Sequence, residues 1–376
     1  IEPPRAEYAA LPHPFDYGAI RARRCEGEGA GARAPRRCVL LELRPVKQTR
    51  TLCLLWPTPP ARAQHAARPW GDILTHLLGH EGEGSLFAAL KEKSLATALS
   101  AGYRQDASCF ALVQIKITLT DAADGEALPG GAAGGEVEVE ARRASQRREI
   151  VRLVFAYLHA LRTADAPSLA RIALEVARNR ARRFRFKKKG SVSGAVRAIA
   201  AKLTYLDYPF ATRDVLSGGH HGEGAVQAAP PPRGAGGGAL GAPAPRLYRT
   251  APALGAWSDV DDAAFRAAVA RFTPLSLVVH HASPRFGAPG GAPGGGAGGG
   301  AGSGGGDDGA APGAWREEHW YKTQHRVRLL PSSDVDAWEA ALAGGSHRHG
   351  MHLPRPNALI PTDFAVLGAG SGGGGG

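Results

Sequence analysis

His76 and His80, followed at once by Glu81, are the residues of this 376-residue chain whose types and spacing come nearest to catalytic chemistry. On a helix, a separation of four puts both imidazoles on one face, the arrangement zinc enzymes use for a ligand pair. That chemistry also needs a carboxylate to take a proton from the metal-bound water. The carboxylate directly follows the first histidine in the forward motif and directly precedes the second in the inverted one. Leu77 and Gly79 hold those positions here. Glu81 comes after the second histidine, beside Gly82 and Gly84, where the chain is expected to turn. No catalytic residue and no metal site are therefore expected in this chain. Two readings of the pair stay open: packing near a helix C-terminus, or membership of a surface that docks a peptide.

The elements that must position these residues follow from the hydrophobic period. Val39, Leu41 and Leu43 alternate with Leu40, Glu42 and Arg44, and Leu52 to Trp56 is a second apolar run, so both are expected as strands. A helix over about 71–78 comes next, then a glycine turn, then a helix from about Ser85, whose hydroxyl suits an N-cap. Residues 97–103 lead towards an alternating strand with Val113, Ile115, Ile117 and Leu119 inward and Gln114, Lys116, Thr118 and Thr120 outward. Ile150, Val151, Val154, Leu158 and Leu161 mark an amphipathic helix, and two more are expected over about 169–186 and 192–206. Ser258 with Asp261 suits a capped start for the helix carrying Phe265, Val269 and Phe272, and a strand is expected over 275–279. The sum is an α+β fold, a mostly antiparallel sheet backed by helices.

Much of the chain cannot join a core. Residues 287–313 contain only Gly, Ala, Pro, Ser and Asp, and 222–245 and 122–135 are similarly poor in large apolar side chains. One domain over 38–367 is expected, with disordered glycine-rich insertions near 122–135, 222–245 and 287–313. A linker over 1–37 precedes it, and a flexible linker over 368–376 follows. The chain begins at Ile1 and its single methionine is Met351, so further material is expected on both sides. Cys25, Cys38, Cys53 and Cys109 form no CxxC pair, which fits a reducing, cytoplasmic setting. No apolar run approaches the roughly 20 residues that span a bilayer, so no membrane partner is expected.

The net charge of +12 is concentrated in Arg178, Arg180, Arg182, Arg183, Arg185, Lys187, Lys188 and Lys189, a run with no acid in it. Such a run can neutralise phosphates. It also continues the helical pattern of Leu169, Ile172, Ala173 and Val176, which makes it a solvated helix face with a basic last turn. No aromatic stacking platform accompanies the charge, so nucleic acid is disfavoured as a partner.

Seven blocks, in order, resemble the second domain of the insulysin and nardilysin type of zinc metalloendopeptidase, in the pitrilysin superfamily. They are Pro12-His13-Pro14-Phe15; Pro45-Val46-Lys47 with Thr49-Arg50; and Leu77-Leu78-Gly79-His80-Glu81-Gly82 with Gly84-Ser85-Leu86 and Leu90-Lys91. Then come Phe184-Arg185-Phe186-Lys187; Tyr208-Pro209; Trp320-Tyr321 with Thr323-Gln324; and Leu353-Pro354 with Asn357 and Ile360-Pro361-Thr362-Asp363-Phe364. Glu83, Ser94 and Leu95 depart from the family pattern, as do the glycine-rich insertions.

The resemblance implies a non-catalytic domain that helps close a chamber and supplies an exosite for the N-terminal end of a peptide substrate. The site it implies is His76, Leu77, Leu78, Gly79, His80, Glu81 and Gly82 together with Leu99, Ser100, Ala101, Gly102 and Tyr103. Small residues at 100–102 would let another backbone approach a strand edge, where main-chain hydrogen bonds bind without demanding a sequence. Glu81 would face a substrate ammonium. No cofactor is expected in this chain. Zinc is expected in a missing catalytic domain, because the family's His-x-x-Glu-His motif occurs nowhere in this sequence. The implied partners are peptide substrates and the remaining domains of the same polypeptide. Two other readings stand beside this one: a peptidase-like scaffold domain that has lost catalysis, and a polyanion binder acting through residues 178–189.

Overall fold

The computed structural model describes residues 38–59, 70–106, 110–125, 135–186, 188, 190–203, 259–286, 313–318, 320–344 and 350–361. The expected linkers over 1–37 and 368–376, the insertion over 222–245 and nearly all of that over 287–313 lie outside them, as do Ser258, Tyr208 and Pro209. The chain divides into two compact units, residues 1–164 with 263–354, and residues 165–262 with 355–376.

The first unit is built on a seven-stranded sheet of order β3-β4-β2-β5-β1-β7-β6. Its strands are β1 (Val39–Leu43), β2 (Thr51–Thr58), β3 (Ala96–Asp106), β4 (Ala111–Leu119), β5 (Val278–Ala282), β6 (Arg316–Glu317) and β7 (Gln324–Leu329). Only the β1–β5 pair is parallel; the other pairings are antiparallel. The period-2 alternation explains which face is covered. Leu40, Leu52, Leu54, Trp56, Ile115, Ile117 and Val279 are all fully buried, while their neighbours Leu41, Leu55, Gln114 and Val278 are only partly so.

Helices α1 (Trp70–Leu78), α2 (Leu86–Glu92), α3 (Glu136–Arg162) and α7 (Ser332–Gly344) belong to this unit. Ile150, Val151, Val154, Phe155, Tyr157, Leu158 and Leu161 of α3 are all fully buried. Each such side chain contributes about 1.5–3 kcal/mol on burial. Trp56 packs edge-on to Phe155 at 6.1 Å and against Phe272 at 5.2 Å, and Phe155 stacks on Trp338 at 6.2 Å. Both indoles find acceptors: Trp56 Nε1–H donates to the Thr273 carbonyl (3.2 Å) and Trp338 Nε1–H to the Arg148 carbonyl (3.1 Å).

The structure departs from the sequence expectation in three places. The strand expected over 275–279 is a 3-10 turn, Pro274–Ser276, followed by β5 from Val278. Thr273 and Ser276 cap that turn reciprocally, which holds the backbone away from the ladder. The stretch expected to be an insertion from 122 onward opens with a hydrogen-bonded turn over 121–125, in which Asp124 is fully buried. Poverty in large side chains concealed a polar anchor. The last strands and helix, β6, β7 and α7, were not foreseen from period at all, because β7 (QHRVRL) carries charges on its covered face.

Those charges belong to a buried network. Glu42 of β1 is fully buried and accepts from Arg326 Nε and from Arg328 Nη2 (2.7 Å), with Arg147 Nη1 at 3.7 Å. Arg328 also donates to Glu140 at 2.6 Å. On the same side of the sheet, Asp124 accepts from the Ser283 hydroxyl (2.6 Å) and from Arg143 Nε (3.3 Å). His281 Nε2 stands 3.3 Å from Asp124, off the direction of a well-formed hydrogen bond.

In the second unit, α4 (Ala166–Arg185) and α5 (Val192–Leu203) follow one another. The Asp165 carboxylate accepts from the Ser168 N–H at 2.8 Å, and Leu169, Ile172 and Val176 form the buried stripe of α4. Helix α6 (Asp259–Ala270) begins in this unit, while its buried Phe265 and Val269 belong to the first.

Candidate peptide-docking site

Helix α1 stops at Leu78, so His80 lies beyond the helix and not on one helical face with His76, as the spacing had implied. The chain tightens as it leaves the helix: Gly79 N–H donates to the Thr75 carbonyl (2.9 Å) and His80 N–H to the Leu77 carbonyl (3.2 Å). The two imidazoles still come edge to face, with ring centroids 5.9 Å apart. His80 Nδ1 accepts from the Gly82 N–H at 3.1 Å, which closes the turn back on itself. Gly84 then adopts φ +73°, the left-handed region glycine enters freely, and Ser85 caps α2 by accepting from Ala88 N–H at 3.1 Å.

The structure brings this block against β3. A Cβ on Gly79 would stand 3.4 Å from the Ala101 nitrogen and 3.7 Å from the Ala101 Cβ, ordinary contact distances, so the end of α1 lies against the strand backbone. At the other end of the helix, the Tyr103 ring lies over Gly71. Leu99, Ala101 and Tyr103 thus share the face that α1 covers, and Ser100 and Gly102 share the opposite face. Within the twelve residues, Leu77, Leu78 and Leu99 are buried core side chains, so they shape the site without being available to a ligand. Ser100, His76, Glu81 and Gly82 are exposed. Among the described residues, Glu81 has no ion-pair partner.

Strand β3 stands at the edge of the sheet. Among the described residues it pairs only with β4, in the register Leu99↔Ile117, Ser100↔Lys116, Ala101↔Ile115 and Gly102↔Gln114. Nothing lies within 4 Å of a Cβ built on Gly102. An edge strand presents alternate N–H and C=O groups that have no ladder partner, a template for one more strand.

One positioning residue was missed from the sequence. The buried Tyr157 hydroxyl donates to the Leu77 carbonyl at 3.3 Å and so pins the last turn of α1, where the block begins. Its burial lifts the phenol well above its ordinary value and keeps it a donor. The available signal was a tyrosine within the apolar stripe of α3, whose hydroxyl must find an acceptor when buried.

No group of three or more His, Cys, Asp or Glu side chains able to hold a metal occurs among the described residues, and His80 Nδ1 is engaged with Gly82. No helix among the described residues is long and apolar enough to cross a membrane.

Residues 32–127, which contain the whole candidate site, match the peptidase M16 inactive domain. The nardilysin-like protein of Arabidopsis thaliana is 49% identical over 67 residues, 18% of this chain and 6% of that protein. Human insulin-degrading enzyme is 25% identical over 328 residues, 87% of this chain and 23% of that enzyme. The chain is thus similar to the second, inactive-type domain of M16 peptidases of the insulysin and nardilysin kind. It also shares its fold with pitrilysin, whose crystal structure superposes with a TM-score of 0.56 at 15% identity, covering 87% of this chain and 25% of that one. The chain spans less than a quarter of the length of each curated relative named here.

Proposed function

We propose that this chain is the substrate-gripping part of a zinc metalloendopeptidase, in which β3 takes a peptide as an added edge strand. The cleavage chemistry belongs to a separate zinc-bearing domain of the same polypeptide, with a cytoplasmic setting and peptides as substrates. One observation carries the reading: a strand with small residues at 100–102 lies at the open edge of the sheet, with the His76–Gly82 block closed against its covered face. Binding there holds the peptide in register and supplies binding energy remote from the scissile bond. Glu81, exposed and with no ion-pair partner among the described residues, receives the peptide's N-terminal ammonium.

Amide exchange tests it. Main-chain N–H groups of 96–106 that point away from β4 exchange readily in the free chain and slow when a saturating, N-terminally free peptide is added, while those bonded to β4 change little. Unaltered exchange throughout 96–106 at saturation would overturn the proposal.

A further inference from the structure

The basic run that docking leaves unused ends in a serine. Lys187, Lys188 and Lys189 precede Gly190-Ser191-Val192, so Ser191 has lysines at two, three and four residues before it and an apolar residue directly after it. Lys188, Gly190, Ser191 and Val192 are all exposed, and Val192 reaches 80%. Lys188, Gly190 and Ser191 lie between the end of α4 at Arg185 and the start of α5 at Val192. A Cβ on Gly190 would meet nothing within 4 Å.

We propose that Ser191 is a phosphorylation site for a protein kinase selective for basic residues. Such an enzyme reads cations two and three residues before its acceptor with an acidic groove, and an apolar residue after it with a hydrophobic pocket. All three are present in the sequence, and Lys188, Ser191 and Val192 are exposed. The Ser191 hydroxyl makes one local bond, accepting from the Gly194 N–H at 3.2 Å at an exposed helix start. A hydroxyl oxygen has a second lone pair for attack, and a fraying first turn releases the segment at small cost. In the transfer, Ser191 Oγ bonds to the γ-phosphorus of ATP, the bond from that phosphorus to the ADP oxygen breaks, and the hydroxyl proton passes to the kinase's base. The product places a charge of about −1.5 to −2 beside the cations of residues 178–189, and so lowers the attraction of this surface for acidic partners. The inference does not depend on peptide docking at β3.

The test incubates the full chain with ATP, magnesium and a purified kinase selective for paired basic residues, and maps incorporated phosphate by mass spectrometry. Near-stoichiometric phosphate at Ser191 is expected. Ser191→Ala removes it with an unchanged far-ultraviolet spectrum, Ser193→Ala retains it, and Lys188→Ala with Lys189→Ala lowers kcat/KM at least about tenfold. Equal incorporation into Ser191→Ala would overturn the proposal. So would failure to label the chain when a synthetic peptide of residues 185–197 is labelled well, because the segment would then be inaccessible in the folded protein.

Discussion

Replacing Glu42 with leucine removes the fully buried carboxylate facing Arg147, Arg326 and Arg328, and its cost can be apportioned from their exposure. The side chains of Arg326 and Arg328 are 19% and 32% exposed, and both have Glu140 in reach at 3.6 and 2.6 Å, so they can turn to that acid and to water. Arg147 cannot: it is 4% exposed, and its Nη1 already lacks a hydrogen bond among the described residues. Burial pulls the Arg147 guanidinium below its ordinary value, with Glu42 foremost among the charges opposing that pull. An uncompensated buried charge costs about 3–5 kcal/mol. Against a total stability of about 5–15 kcal/mol, that lowers the melting temperature by roughly 6–20 °C. Urea unfolding followed by far-ultraviolet circular dichroism measures it. The double variant Glu42→Leu with Arg147→Met regains most of the loss, because removing both charges ends the desolvation penalty. Glu175→Gln provides the contrast. It breaks the partly exposed Arg171–Glu175 pair (2.8 Å) and costs within about 0–1 kcal/mol. A loss under about 1 kcal/mol for Glu42→Leu, or a double variant less stable than the single one, would refute this reasoning.

Three further outcomes are expected. Tyr157→Phe costs about 0.5–1.5 kcal/mol in urea unfolding, since the Leu77 carbonyl keeps the His80 N–H as a partner; a loss above 3 kcal/mol would mean the hydroxyl does more than pin this turn. Burial, with Arg147 and Arg143 beside it, holds the His281 imidazole below its usual value against the pull of Asp124, so the unfolded chain takes up a proton first. Stability therefore falls as pH drops below about 6.5, and His281→Asn flattens that fall between pH 7 and 5.5, whereas an equally steep fall in the variant would assign it elsewhere. Peptide N-terminal acetylation weakens binding to the wild type by up to about fivefold and leaves binding to Glu81→Gln unchanged, an exposed ion pair being worth about 0–1 kcal/mol; equal losses in both proteins would remove Glu81 from the site.

Part of the sheet was legible: Ile115 and Ile117 stand inward where alternation puts them, and Leu52 and Leu54 lie buried within the expected apolar run, whereas β1 turns Leu40 and Glu42 inward and leaves Val39, Leu41 and Leu43 only partly covered. The strand β7 was not, because its inward positions are Arg326 and Arg328, which bury only against Glu42 and Glu140 supplied by distant elements. Asp124 was hidden for the same reason, its partners Arg143, His281 and Ser283 all being remote in sequence. Burial pushes its carboxyl up, but His281 beside it, then the Ser283 hydroxyl and Arg143, outweigh that and hold it below the usual range, so its stabilisation is present above about pH 3.9 and fades on stronger acidification. At the site, the glycine turn and the capping Ser85 were readable from local chemistry. The end of α1 before His80, and the edge position of β3, arise from packing between Gly79 and Ala101 and from strand order, which no local pattern encodes.

Whether β3 grips a peptide through its main chain is decided by two N-methylated versions of one binding peptide, one methylated at odd residues and the other at even residues, titrated by fluorescence anisotropy. An added strand directs alternate N–H groups at β3 and the rest at solvent. With each main-chain hydrogen bond contributing about 0.5–1.5 kcal/mol, losing three weakens binding by roughly 10- to 1,000-fold. The account predicts that loss for one methylation pattern and near-native affinity for the other. Equal affinities for the two patterns, whether both retained or both lost, would contradict strand addition at this edge.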